Sequence, residues 1–475
     1  MSKLRIPSFT LPLLAAAVLS ACSLAPVYQR PDAPVAAAYP AAVPVEAART
    51  AGVTADSGWR EFFREPRLQG LIVAALEHNR DLRAAALRIE EARAQYNIVA
   101  ADLLPNLAGT ASGSRARSAA ATSPTGASVV GSGYQVGLTL AAFELDFFGR
   151  VRSLNEAALA QYLATEEARR AVHISLVAEV AKAYLSERAL AEQEDLARRT
   201  LASRESAYKL SQQRFEVGAS SALDLRQNEI LVQSARASLA ALARQRAQAF
   251  NALTLLVGKP LDGLPAPGAL AAQGIVADLP AGLPSDLLAR RPDIRAGEQR
   301  LRAANASIGA ARAAFFPRIS LTAGLGSASS ELSGLFDAGT RTWSFVPQLV
   351  LPIFDAGRNQ ANLTLTQVRN NIAVADYEKS IQAAFREVSD ALAARGAIDE
   401  QADAQARVVD AQRERLKLAE QRYQNGVASS LEVLDAQREL FSAEQSLVQA
   451  RLLRLTNAVD LYRALGGGLK ETAAG

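Results

Sequence analysis

The chain has 475 residues, room for two or three ordinary domains, with 52 lysines and arginines, 48 aspartates and glutamates and a formal charge of +4. Lys3 and Arg5 fall in a predicted leader, so the remainder is close to neutral and nothing points to nucleic acid. Two histidines, one cysteine and one methionine, without a phosphate-binding loop, dinucleotide fingerprint or nucleophile elbow, offer no catalytic constellation, cofactor or metal site.

Residues 1–21 read as a secretory leader: Lys3 and Arg5, an apolar stretch around Leu11 to Leu19, then small residues. The stretch is too short for a spanning helix. It ends in Leu19-Ser20-Ala21-Cys22, which resembles a bacterial lipobox, and Cys22 is the only cysteine. Acylation of Cys22 at ~0.8 kcal/mol per buried methylene would anchor the mature chain firmly. Ser23 rather than aspartate follows, which points to the outer membrane. Residues 22–65 carry Pro26, Pro31, Pro34, Pro40 and Pro44 and read as an extended strap leaving the anchor.

A first repeat is expected over 66–257. Apolar residues recur at helical spacing from Leu68 to Ile89, with a break and a new N-cap near Asn79 and Asp81, and Pro105 closes the segment. The period then drops to two, giving strands at about 106–116 and 132–145 with one apolar and one small or polar face. From Arg150 to Val217 there is neither glycine nor proline. At ~1.5 Å per residue such a helix would reach roughly 100 Å. Ala219 to Val257 is equally free of breakers, with Leu225, Val232, Leu239 and Leu253 in heptad register. Both helices meet at Gly218, so they form an antiparallel hairpin with its tip at 217–221.

Residues 258–284 form a proline-rich linker, and 285–466 repeat the plan. Strands are expected at about 317–328 and 342–354, a long helix over 358–425 interrupted only by Gly396, and a second hairpin with its tip at 425–430. The landmarks Gly149, Gly218 and Gly258 recur at Gly357, Gly426 and Gly466 with one constant displacement, which marks an internal duplication. Residues 467–475 are expected to be a loose tail. The expected class is mainly α, with duplicated helical hairpins and four membrane-compatible strands per chain. Four strands cannot close a membrane barrel and open edges are not tolerated in a bilayer, so the chain must oligomerise. The alternative is a small soluble sheet beneath helices.

With these residues in hand the chain resembles a TolC/OprM-type outer-membrane factor, of the lipoprotein branch serving resistance-nodulation-division (RND) efflux pumps. The likeness covers nearly all of the mature chain. It is carried by the Leu288–Ala296 run with its Arg-Arg-Pro-Asp-Ile-Arg, by Phe-Phe-Pro at 315–317, by the two Gly-Arg pairs and by Leu-Asp-Ala-Gln at 434–437. The resemblance implies a homotrimer with a twelve-stranded barrel and an α-helical tunnel, docked at its periplasmic tips by an adaptor and an inner-membrane RND transporter. It also implies a closed end ringed by Leu431 and Asp435, with Glu432 nearby. Asp224, at the matching turn of the first repeat, is expected to hydrogen-bond Tyr423 as a latch between hairpins. Each carboxylate has the alternative of being a solvated helix-face group. Val217, Gly218, Ala219, Ser220 and Ser221, with Asn425, Gly426, Val427, Ala428 and Ser429, are the adaptor-contact candidates. Some relatives carry a basic residue where this chain has Ala428, which puts an arginine latch at that position in doubt. A periplasmic adaptor, a purely structural lipoprotein and a one-component secretion duct are the competing readings.

Overall fold

The computed structural model describes residues 23–40, 57–122, 126–275, 279–280, 282 and 284–471. The leader, Cys22 and part of the strap lie outside the described residues. In chain order the elements are α1 (Trp59–Phe62), α2 (Pro66–His78), α3 (Arg80–Ala101), β1 (Leu107–Ser118), β2 (Val129–Glu144), α4 (Arg150–Glu216), α5 (Ala222–Val257), α6 (Asp286–Arg290), α7 (Pro292–Ala313), β3 (Arg318–Ser329), β4 (Arg341–Val350), α8 (Arg358–Gln424) and α9 (Ser430–Ala464). The two long helices α4 and α8 have 67 residues each, and Gly396 does not interrupt α8. Among the described residues no helix is long and apolar enough to cross a membrane.

The chain divides into two compact units. The first holds residues up to Asp32, Arg88–Glu166 and Ala296–Tyr377. Its centre is one antiparallel sheet in the order β1-β2-β3-β4. Because side chains alternate along a strand, the register sorts them onto two faces. Leu138, Leu325 and Trp343 are cross-strand neighbours on one face, which continues through Leu107, Leu321, Phe345 and Leu349. The other face carries Thr110, Ser112, Gln135, Thr139, Thr322 and Ser344. That second face is the polar one. Gly137 and Gly326 stand opposite each other there, and a Cβ on Gly137 would lie 2.7 Å from the Leu325 carbonyl oxygen, while one on Gly326 would run into that of Val136. Only glycine allows the strands to approach so closely.

At the helix end of this sheet Glu144 accepts from Arg150 at 2.7 Å and pairs with Arg318 at 2.6 Å, and Phe148 stacks on Phe316 at 4.7 Å. The strap is fixed here too. Asn305 and Arg312 of α7 donate to the carbonyls of Pro26 and Leu24, and Arg30 pairs with Glu298 at 2.5 Å.

The second unit holds Ala33–Leu87, Glu167–Arg295 and Glu378–Gly475. Of the predicted heptad positions, Val232 and Leu253 are buried, and in the second repeat so are Val448 and Tyr462. The two repeats are joined in one way with different chemistry. Asn79 caps α3 by accepting from Leu82 N and donates at 2.8 Å to the Leu256 carbonyl at the end of α5. The equivalent position in the second repeat is Arg291, which donates at 3.1 Å to the Ala464 carbonyl at the end of α9 and is held by Asp293 and Glu387. A cation beside orphan carbonyls at a helix C-terminus is favourable. The tail expected to be loose from residue 467 is tied down as far as Glu471. Trp59 N donates to the Lys470 carbonyl at 2.9 Å, Arg60 pairs with Glu471 at 2.6 Å, and Gly467 and Gly468 are buried. Phe62 stacking on Tyr462 at 4.1 Å explains the attachment, because it brings α1 against the end of α9.

Candidate functional site at the hairpin tips

Both hairpins turn on a glycine with positive φ, 74° at Gly218 and 74° at Gly426, a conformation open to glycine at no steric cost. The following residues fold back to satisfy the last carbonyls of the preceding helix. Ala219 N donates to Arg214 O at 2.7 Å, and Val427 N donates to Arg422 O at 2.9 Å. The turns leave Val217 (78% exposed) and Val427 (69%) projecting.

Past the turns the hairpins differ. In the first, Ser221 and Asp224 form a capping box: Asp224 N donates to Ser221 Oγ at 3.1 Å, and Asp224 Oδ2 accepts from Ser221 N and Oγ. Donation from the Ser221 hydroxyl, helped by that from Ser430, holds the Asp224 carboxyl below the usual range. In the second, Ser429 has no side-chain cap bond. Glu432, the counterpart of Asp224, turns away to pair with Arg422 at 3.6 Å.

The expected Asp224–Tyr423 bond is not formed. Asp224 instead accepts from Ser430 Oγ at 3.1 Å, and Tyr423 accepts from Arg214, whose guanidinium also lies 5.6 Å over its ring. The reason is reach: an aspartate engaged in its own helix cap is too short to extend to a second partner on the next hairpin's first helix. Asp435 sits between Arg415 at 2.6 Å and Arg438 at 2.5 Å. Leu431 is 58% exposed at the start of α9. Ala428 brings no charge, and arginines at 214, 415, 422 and 438 do the holding. Arg438 was legible as the i+3 partner of Asp435. Arg415 was legible only by counting back equally from the turn, since Arg415 and Asp435 stand the same number of residues either side of Asn425.

Between the two tips lies a groove of about 450 Å³, lined by Leu210, Arg214, Asp224, Tyr423, Leu434 and Gln437. Ser220 Oγ and Gln437 Oε1 are buried in this region without a hydrogen-bond partner.

Residues 71–259 and 283–467 match the family described as outer membrane efflux protein. The antibiotic efflux pump outer membrane protein ArpC of Pseudomonas putida is 50% identical over 459 residues, covering 96% of this chain and 94% of that protein. The toluene efflux pump outer membrane protein TtgC of the same species shows the same identity and coverage. The open state of the MtrE outer membrane channel of Neisseria gonorrhoeae superposes with a TM-score of 0.87 at 44% identity, covering 96% of this chain and 100% of that one.

Proposed function

The chain belongs to the outer membrane efflux protein family and is an outer-membrane efflux channel, and on that premise we propose that it works as a homotrimer whose twelve strands close one barrel continued by a helical tunnel. The observation that carries oligomerisation is the sheet itself, and the number three is what the family resemblance implies. Four strands with an apolar face, a polar face and two unpaired edges cannot persist in hydrocarbon; two such sheets would supply eight strands and three supply twelve, closing a barrel with no edge. The outer face then meets lipid and the polar face lines the duct.

The duct is passive. On the polar face only Arg318 and Glu144 ionise among the described residues, and they pair with each other at the helix end. The rest is serine, threonine, glycine, alanine, glutamine and valine, with nothing to select one solute by charge. Relatives equally similar to this chain are named for an antibiotic pump and a toluene pump, which supports placing selectivity in an inner-membrane RND transporter upstream. Cys22 carries the acyl anchor, and the strap beginning at Ser23 holds that anchor against α7. The tips at 217–221 and 425–430 receive the periplasmic adaptor. Docking there breaks the Ser430–Asp224 and Arg214–Tyr423 bonds and the hold of Arg415 and Arg438 on Asp435, and withdraws Leu431 from the axis.

The test is reconstitution of the purified protein in a planar bilayer, with the mass of the detergent complex measured in parallel. A three-chain complex forming small, rarely open channels is expected. Folded protein that forms no channel would overturn the duct reading.

A further inference from the structure

Two arginines are buried among the described residues, and their surroundings differ. Arg291 meets Asp293 and Glu387. Arg204 of α4 is 6% exposed and pairs with no carboxylate among the described residues. Its Nη1 donates to the Leu231 carbonyl of α5 at 3.2 Å, its Nε has no hydrogen-bond partner, and its guanidinium lies 5.8 Å over the ring of Phe441 on α9. The carboxylates within one turn of these three residues are engaged elsewhere. Glu205 holds Arg236 at 2.7 Å, Glu229 holds Arg226 at 2.5 Å, Glu444 holds Arg413 at 2.9 Å and Glu439 holds Arg438 at 3.2 Å. Burial pushes the Arg204 guanidinium below its ordinary pKa, but an arginine stays charged at any pH the duct works in.

The contact is not inherited from the duplication. At the displacement that carries Gly218 to Gly426, Arg204 corresponds to Gln412 and Phe441 to Gln233. It also has a particular place. Helices α4 and α9 run antiparallel along one seam, with Lys182 on Asp460 at 2.8 Å and Arg204 on Phe441 nearer the tips. At 1.5 Å per residue, Arg204 lies about 18 Å from the end of α4 at Glu216 and Phe441 about 17 Å from the start of α9 at Ser430. The bond of Ser430 to Asp224 closes the seam below them.

A cation taken out of water without a counter-charge costs free energy that one carbonyl bond and one ring face offset only in part. The cover from the second hairpin is Phe441. When α9 is drawn away, water reaches the guanidinium and that cost is relieved. We propose that Arg204 biases the duct toward opening, because a guanidinium held without a counter-charge beneath Phe441 weakens the closed α4–α9 seam, a role that rests on the channel reading above. Phe441 offsets part of the weakening. Arg204 is thus a positioning residue that acts through α9 and touches no solute.

Single-channel recording of the full-length complex carrying Arg204→Met, Arg204→Lys or Phe441→Leu tests this. Methionine keeps an unbranched chain and removes the charge, so open probability should fall at least about fivefold. Lysine keeps the charge and should not lower it. Phe441→Leu removes the ring face and should raise it about two- to fivefold. Opposite signs at two touching residues are what a charge cost requires, whereas a plain packing contact would open more when loosened from either side. Opening of Arg204→Met at or above that of the unaltered protein would overturn the proposal, and so would a fall shared by Arg204→Lys. Arg204→Gln, which installs the residue of the second repeat, carries the same expectation if the methionine variant does not assemble. Hydrogen exchange at 437–445 in the same detergent complexes reads the seam without a channel, and should slow in Arg204→Met and quicken in Phe441→Leu. Those exchange changes in a protein that conducts nothing would sink the duct reading and leave the bias of the seam standing.

Discussion

The two hairpin tips descend from one ancestor, and they are not held alike. The first closes on itself: Ser221 and Asp224 cap α5, and the turn needs no other element. The second has lost that closure. Ser429 lacks a cap bond, Glu432 reaches back to Arg422, and the tip leans on its neighbour through Ser430 to Asp224 and Tyr423 to Arg214. A helix cap is worth about 1 kcal/mol, whereas an exposed ion pair is worth about 0.2–1 kcal/mol and weakens with salt. On the function proposed above, the first hairpin is the frame and the second is the part that moves, and its restraints are individually weak and accessible to a partner.

The strongest way to break this comparison is to make equivalent substitutions in both hairpins. Leu431→Ala with Asp435→Ala removes the exposed leucine and the carboxylate between Arg415 and Arg438, and single-channel open probability should rise at least about tenfold. The same change at the matching positions, Leu223→Ala with Gln227→Ala, should leave opening within about twofold. Similar opening from both pairs would mean the hairpins move together.

A smaller effect is expected from the capping carboxylates. Asp224→Ala loses the box and the bond to Ser430 together, so hydrogen exchange at 219–226 and 429–434 should quicken. Glu432→Ala should change exchange little. Glu432→Asp sharpens the contrast by restoring the side-chain length that serves the first hairpin, and should slow exchange at the second tip by about the factor of five that one cap supplies. No slowing would mean that Ser429 is unable to accept a cap bond.

How far this was legible in the sequence follows from the range of the interactions. The long helices, the strands and the duplication were legible because each is written locally, as an absence of breakers, an alternation or a glycine at fixed displacement. The ends of β1, β2, β3 and α9 moved by only a few residues, while β4 stops at Val350 rather than 354. Positions Leu431, Asp435, Glu432, Asp224 and Tyr423 do gather at the tips, but their bonds were misassigned or missed. The wrong pairing of Asp224 with Tyr423 came from ignoring that Ser221, three residues earlier, already claims that carboxylate. Arg214 was missed because its partner Tyr423 belongs to the other hairpin, and Arg415 because its pairing with Asp435 shows only when residues are counted equally from the turn. The pinned tail was missed for a similar reason, since Glu471 meets Arg60 from the far end of the chain.

The smallest expected effect is on pH. The Asp224 carboxyl titrates below its ordinary value of 3.8 in the folded tip, so its contribution is full above that value and is lost as pH falls through the lower, folded one. Channel opening should therefore be flat from neutral pH down to about 4 and rise only below it. Asp224→Asn should remove the rise. A transition near neutrality would assign control to some other group.

The most direct measurement is a reversible lock across the tips. Cys22 is the only native cysteine, so Asp224→Cys with Ser430→Cys introduces one pair at positions whose side chains lie within 3.1 Å. Single-channel recording under oxidising and then reducing conditions compares one protein with itself. Near-complete closure when oxidised, and frequent opening after reduction with the native bond absent, is the predicted result. Equal opening in the two states, with the disulfide verified by mass, would contradict the assignment of the second hairpin tip as the gate.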